Sequence, residues 1–149
     1  AALEVRALDH QAQELDRPLE PGAFGENLTL TGVDCTNARV GERWQIGTAL
    51  FEVVQPRLPC FKLGVRFEDP RMLKRFAQAS RPGAYLRIVT EGDVGAGDAV
   101  TIVDRPEHEG TMRLLSDALL LDEGLRPLAA RTPGLIPDLQ RWLAATDVA

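Results

Sequence analysis

Between residues 28 and 103 the sequence breaks into short β-favouring runs separated by turn-forming residues, and this pattern restricts the chain to a core built on a sheet. The runs are LTL at 28–30, RWQI at 43–46, ALFEVVQ at 49–55, AYLRIVT at 84–90 and AVTIV at 99–103. Gly47-Thr48 suits a hairpin turn between the second and third. The Gly- and Asp-rich stretch EGDVGAGD joins the last two, which read as another antiparallel pair. Helical spacing brackets this region. Residues 3–16 mix Leu3, Val5, Leu8 and Leu15 with Glu, Gln and Arg, which predicts a short amphipathic helix near 7–16, ended by Pro18 and Pro21. A second helix is predicted at 69–79, with Asp69 as cap, Pro70 in the first turn, and Met72, Leu73 and Phe76 on one face. After Pro106 the period changes again: TMRLLSDALLLDEG carries Thr111 as a cap and Gly124 as a stop, followed by helical pieces at 125–131 and 136–145. The expected fold is therefore mostly β with peripheral α, a β body over 1–106 and a small three-helix tail over 107–149.

A chain of 149 residues supports one substantial core and is too short for two full-sized domains. The net charge of -5 argues against a nucleic-acid partner, since such binding draws its affinity from excess Lys and Arg. No apolar run approaches the roughly 20 residues that span a bilayer, and no charged-then-apolar segment opens the chain, so no membrane is expected. Two cysteines, Cys35 and Cys60, without a C-x-x-C pair make a disulfide framework unlikely and point to a cytoplasmic protein. Position 1 is not Met, which suggests that residues precede it. The cysteines with His10 and His108 lack any zinc-ligand spacing.

Four glycine and cysteine features remain. Gly92, Gly95 and Gly97 lack the GK[ST] of a phosphate loop and lead into a strand rather than a helix, so they read as a turn. In PRLPCFKL at 56–63, Pro56 and Pro59 bar ladder hydrogen bonds, which should end the strand and place Cys60 on a rim loop. Arg57 and Lys62 flank Cys60, and nearby positive charge favours the thiolate that attacks electrophiles and binds soft metals. The plainer reading, a small buried cysteine, stands beside it. In PGAFGENLTLTG at 21–32, Glu26 and Asn27 place a carboxylate and an amide at the mouth of a strand, or simply form a structural turn. Cys35 has no such frame and reads as structural.

GAFGENLTLTG, followed by GERWQIGTALFEVVQPRLPCFKL and then GAYLRIVTEGDVGAGD, resembles the MOSC family, named for the C-terminal domain of molybdenum cofactor sulfurases, in its stand-alone YiiM-like branch. The motifs cover residues 21 to about 106 in the family's order, and the helical tail resembles the appendage of that branch. The resemblance implies an antiparallel β-barrel-like body that binds molybdenum cofactor (molybdopterin) or carries its sulfur. In it Cys60 is the molybdenum ligand or persulfide site, and Arg57, Lys62, Glu26 and Asn27 belong to the cofactor pocket. It also implies a reductase of N-hydroxylated compounds, supplied by an electron-donor protein, with no pyridoxal phosphate in a chain of this length. Arg66 and Arg87 are further cations for the cofactor's phosphate. A molybdenum-independent persulfide carrier and a non-catalytic interaction module are the alternatives. The strand and HGG-type motif with which the family usually begins are not seen, which implies that part of the pocket is missing.

Overall fold

A computed structural model describes residues 2–7, 26–59 and 61–145 of the protein. Six strands form one sheet among these residues: β1 (Ala2–Ala7), β2 (Leu28–Leu30), β3 (Arg43–Ile46), β4 (Ala49–Pro56), β5 (Ala84–Thr90) and β6 (Val100–Asp104), in the order β2-β1-β5-β4-β3-β6. All neighbours are antiparallel except β1 and β2, which run parallel. The mostly β architecture with peripheral helices is as expected. The barrel-like closure is not: β2 and β6 lie at opposite edges and do not pair, so the sheet is open.

Two other expectations are corrected at the sheet. Residues 2–7 are a strand, the opening strand that the sequence reading did not see. Ala7 belongs to it rather than to a helix starting there, and the rest of the helix expected near 7–16 lies outside the described residues. The period-two alternation of Leu3, Val5 and Ala7 with Glu4 and Arg6 is the signal for it. Its register sets Leu3 beside Leu86 and Val5 beside Ala84, both fully buried on β5. Secondly, β5 and β6 are not partners. EGDVGAGD instead crosses the end of the β3–β4 hairpin. There Thr48 N–H donates to the Asp93 carbonyl (3.0 Å), and Asp93 N–H donates to Thr48 Oγ1 (2.7 Å). Glycine makes the crossing possible, because a Cβ on Gly92 would stand 2.5 Å from the Thr48 backbone and one on Gly47, at φ +58°, only 2.2 Å from the Asp93 carbonyl. The glycines serve close backbone approach rather than a phosphate.

Alternation along the strands gives the sheet one apolar face. Trp44 and Ile46 of β3, Phe51 and Val53 of β4, and Ala84 and Leu86 of β5 are buried there. The helices after residue 106 cover that face: α3 (Met112–Leu120), α4 (Arg126–Ala129, after a 3-10 turn at Glu123–Leu125) and α5 (Pro137–Ala144). Thr111 caps α3 as expected, its hydroxyl accepting from Leu114 N–H at 3.1 Å. Met112, Leu115, Ala129, Leu139 and Leu143 join the sheet residues in one hydrophobic cluster. On the opposite face Arg43, Glu52 and Arg87 stand in one row across β3, β4 and β5, paired at 3.4 and 2.5 Å. Such exposed pairs contribute about 1 kcal/mol or less each. Among the described residues no helix is long and apolar enough to cross a membrane.

One carboxylate is sealed inside this arrangement. Glu42 is 0 % exposed; its Oε2 accepts from Arg39 N–H (2.9 Å), and its Oε1 accepts from Trp44 Nε1 (3.0 Å) and meets Arg105 Nη2 at 3.4 Å. Its backbone carbonyl also accepts from Val53 N–H of β4. Truncation would strand two buried donors at about 1–3 kcal/mol apiece. Glu42→Ala is therefore expected to lose about 3 kcal/mol or more in urea denaturation followed by Trp fluorescence, with Glu42→Gln losing less because it keeps an acceptor oxygen. A variant as stable as the parent would show that the carboxylate does not hold this corner.

Candidate functional site

The motif PRLPC leaves the sheet at the end of β4. Register slips between Val53 and Gln55 against β5, a bulge that places Val53 and Pro56 both on the buried face although they are three residues apart. Pro56 pairs with Ala84 as the last residue of the strand. One residue on, Arg57 N–H donates to the Gly83 carbonyl (2.9 Å), and the chain turns out of the sheet. The prolines thus end the strand where the sequence predicts. The loop is shorter than expected, however, because a helix, α1 (Phe61–Phe67), follows almost at once. Gly64 inside FKLGVRF masks it in the sequence. The reason for that glycine is tertiary: a Cβ there would stand 3.2 Å from the Asp69 carbonyl and against Leu73, so it lets α1 lie close to the next helix.

That next helix, α2 (Met72–Ala79), begins three residues later than the expected 69: Arg71 rather than Asp69 stands at its N-cap, and Pro70 lies in the turn before it rather than in its first turn. Asp69 Oδ1 accepts from Arg71 N–H at 2.9 Å and Oδ2 from Arg75 Nη1 at 3.0 Å. Phe76 of α2 is buried, and the Arg57 guanidinium lies over its ring, 5.7 Å from the centroid. At the other end Ser80, at φ +55°, closes the helix; its hydroxyl donates to Asp117 Oδ1 (2.6 Å) and accepts from Arg113 Nε (3.0 Å), both on α3. The helical pair is thus fastened to the main core at its far end and to the rim of β4 through Arg57.

Of the residues singled out in the sequence, Arg57 lies on the rim loop, half-buried, and Lys62 is exposed in the first turn of α1. Cys60, between them in the chain, lies outside the described residues. Glu26 and Asn27 immediately precede β2: Glu26 is buried and accepts from Thr29 Oγ1 at 2.8 Å, and Asn27 is exposed. Register connects the two motifs. Leu28, Val5, Ala84 and Pro56 form one row across β2, β1, β5 and β4, so both motifs meet the same line of the sheet, three strand spacings apart, or about 14 Å along it. The remaining cations divide. Arg87 pairs with Glu52 on the outer face, and Arg66 lies on α1 with its side chain exposed. Cys35 is buried in the core cluster, as a structural cysteine.

The sequence reading missed the basic face of this helical pair. Arg71, Lys74, Arg75 and Gln78 line one shallow cleft along α2. Their i, i+3, i+4, i+7 spacing was legible, but it reads as an ordinary solvated stripe until α1 sets Lys62 and Arg66 on the neighbouring helix. Within 57–81 seven Lys and Arg face two acidic residues, Glu68 and Asp69, in a chain that is acidic as a whole.

A family model for the MOSC domain matches residues 2–101. A protein named "Reductase" from Gibberella moniliformis (strain M3125 / FGSC 7600) is 39 % identical over 97 residues, 61 % of this chain and 17 % of that protein. "Uncharacterized protein YflK" of Bacillus subtilis (strain 168) is 38 % identical over 93 residues, 62 % of this chain and 42 % of its own length. The crystal structure of YiiM from Geobacillus stearothermophilus superposes with a TM-score of 0.83 at 28 % identity, covering 95 % of this chain and 78 % of that one. The chain spans less than half the length of the curated relatives it matches.

The geometry of Asp69 gives a pH dependence. The Arg71 backbone N–H first, and then the Arg75 guanidinium, hold its carboxyl below the usual carboxylate range. A folded pKa below the unfolded one stabilises fully above the ordinary value of about 3.9, and this stabilisation is lost as pH falls through the lower folded value. Asp69→Asn should accordingly be less stable than the parent at neutral pH, with the two urea midpoints converging below about pH 4. A gap that stays constant across this range would show that the charge plays no part.

Proposed function

The chain belongs to the MOSC domain family, and from that premise we propose that it binds molybdenum cofactor beside Cys60 and uses it to reduce N-hydroxylated compounds. The family is associated with this cofactor. The residues present suit it chemically. Its phosphate calls for cations, and Arg57 and Lys62 supply them on the two sides of Cys60. Its metal would take a soft thiolate as protein ligand, the role proposed for Cys60. Glu26, buried with an oxygen already accepting from Thr29, and Asn27 would hold the pterin, offering an acceptor and an amide for its polar edge.

When bound, the cofactor supplies the redox step, and the chain's own residues bind and orient. The reaction breaks the N–O bond: an N-hydroxylated compound takes up two electrons from an external donor and two protons from solvent, giving the N–H compound and water. Arg57 serves this by position. Its backbone is tied to Gly83 and its guanidinium lies over Phe76, so its charge is held at the rim with little freedom to lose on binding an anion. The single observation that carries the reading is this flanking of Cys60 by an anchored Arg57 and an exposed Lys62, within a stretch that matches the family.

Cys60→Ser tests it. A serine hydroxyl, hard and protonated at neutral pH, replaces neither a thiolate on molybdenum nor a persulfide sulfur. In cofactor-reconstituted protein the variant is expected to melt within a few degrees of the parent while molybdenum retention and reduction of a hydroxylamine substrate fall to background. Cys35→Ala, by contrast, should lose stability but retain activity. Full molybdenum content and turnover in Cys60→Ser would remove Cys60 from the site, and persulfide on Cys60 in protein that takes up no molybdenum would favour the sulfur-carrier alternative.

A further inference from the structure

We propose that the exposed surface of the α1–α2 helical pair is the docking face for an acidic one-electron carrier protein. The inference rests on the reductase reading, since that reaction consumes two electrons per substrate. It goes beyond that reading in placing the donor.

The surface has three properties that point to such a partner. The first is charge. Lys62 and Arg66 are exposed on α1, and Arg71, Lys74 and Arg75 line the cleft of α2 together with Gln78. The opposing charges on this pair are Glu68, which is exposed, and Asp69, which is buried beneath Arg71 and Arg75 and turns its oxygens to them. The face is therefore strongly positive on a protein of net charge -5. That contrast selects the class of partner. A long polyanion such as duplex nucleic acid would lay its phosphates against the acidic remainder as well, whereas a small protein with an acidic patch meets the basic face alone. The second is the apolar residue within it. Val65, one turn from Lys62, is 72 % exposed, the most exposed of the large hydrophobic residues described. A protein interface buries such a residue at its centre and keeps its charges at the rim, whereas a phosphate backbone makes no use of it. The third is position. Phe61, the first residue of α1, directly follows Cys60 in the chain, and the helical pair is held to the rim by Arg57 over Phe76, so the face belongs to the segment that begins at the proposed metal ligand. Charge-guided docking of this kind brings carriers on and lets them leave quickly, as a reaction needing two successive one-electron deliveries requires.

The test uses cofactor-loaded protein and a strongly acidic [2Fe–2S] ferredoxin as the probe. Lys74→Glu/Gln78→Glu removes the net positive charge of the cleft's lining at two exposed positions outside the proposed cofactor site, and a thermal melt within a few degrees of the parent checks its fold. Binding of immobilised ferredoxin is measured from about 10 mM to about 200 mM salt, where screening of exposed charges becomes strong. Reduction of a hydroxylamine substrate is measured in parallel, driven once by ferredoxin and once by dithionite. The expected result is parent binding that weakens steeply with salt, a variant at least about tenfold weaker at low salt, and ferredoxin-driven turnover reduced in the variant while dithionite-driven turnover stays equal. Equal ferredoxin binding by parent and variant, salt-independent binding, or tighter binding of a short DNA duplex than of ferredoxin would overturn the proposal. Absence of dithionite-driven turnover in the parent would instead sink the reductase reading, and the binding comparison would still judge the docking face by itself.

Discussion

The buried carboxylate of Glu42 is the constraint around which the sheet is arranged. A charge removed from water has to find its full complement of donors inside the protein, and Glu42 finds them in three parts of the chain: Arg39 before β3, Trp44 within it, and Arg105 after β6. The same corner is laced by backbone bonds. Gly41 N–H donates to Val53, Val40 N–H to Gly110, and Met112 N–H to Ala38; Arg39 Nη1 reaches the Pro106 carbonyl at 2.8 Å. The segment leading into β3 is thus zipped to the segment leading into α3. That junction sets the helices over the apolar face of the sheet, where Trp44, Val53 and Leu86 meet Met112 and Leu115.

From this core the candidate site is positioned by a sequence of local necessities. The β4 bulge keeps Pro56 on the buried side. Pro59 and the turn after Pro56 take the chain out of the ladder, and Gly64 allows α1 and α2 to approach. Asp69 and Ser80 then close the two ends of α2, Ser80 by binding Asp117 of α3. Met72 and Phe76 are buried, yet neither belongs to the main cluster, so the helical pair is a small packing unit fastened to the core rather than part of it. A unit of this kind holds a basic surface firmly at the rim of the sheet while leaving it open to a partner.

The division of charge fits the division of labour. On the outer face of the sheet Arg43 and Arg87 share Glu52, so those cations are neutralised in place. The helical pair concentrates cations with few carboxylates to answer them. In the proposed function this gradient serves twice: Arg57 and Lys62 stabilise a thiolate and an anionic cofactor, and the α2 cleft gathers an acidic carrier.

The local residues determined much of this by themselves. The strands from β2 to β6 and the cap at Thr111 follow from periodicity and side-chain chemistry acting over a few residues. The end of β4 follows from two prolines in the same way. The motif PRLPCFKL with its flanking cations is likewise where the proposed site was read, because a cysteine between Arg57 and Lys62 is written in nearby positions. Tertiary structure decided what depends on residues far apart. Whether Leu3, Val5 and Ala7 form a strand depended on β5 offering them an edge, whether FKLGVRF coils depended on Asp69 and Leu73 closing against Gly64, and whether EGDVGAGD joins partners or crosses a hairpin depended on where β3 and β4 lie. The sheet stayed open for the same reason. Closure is a relation between β2 and β6, separated by the whole sheet, and no pattern within either strand reports on the other.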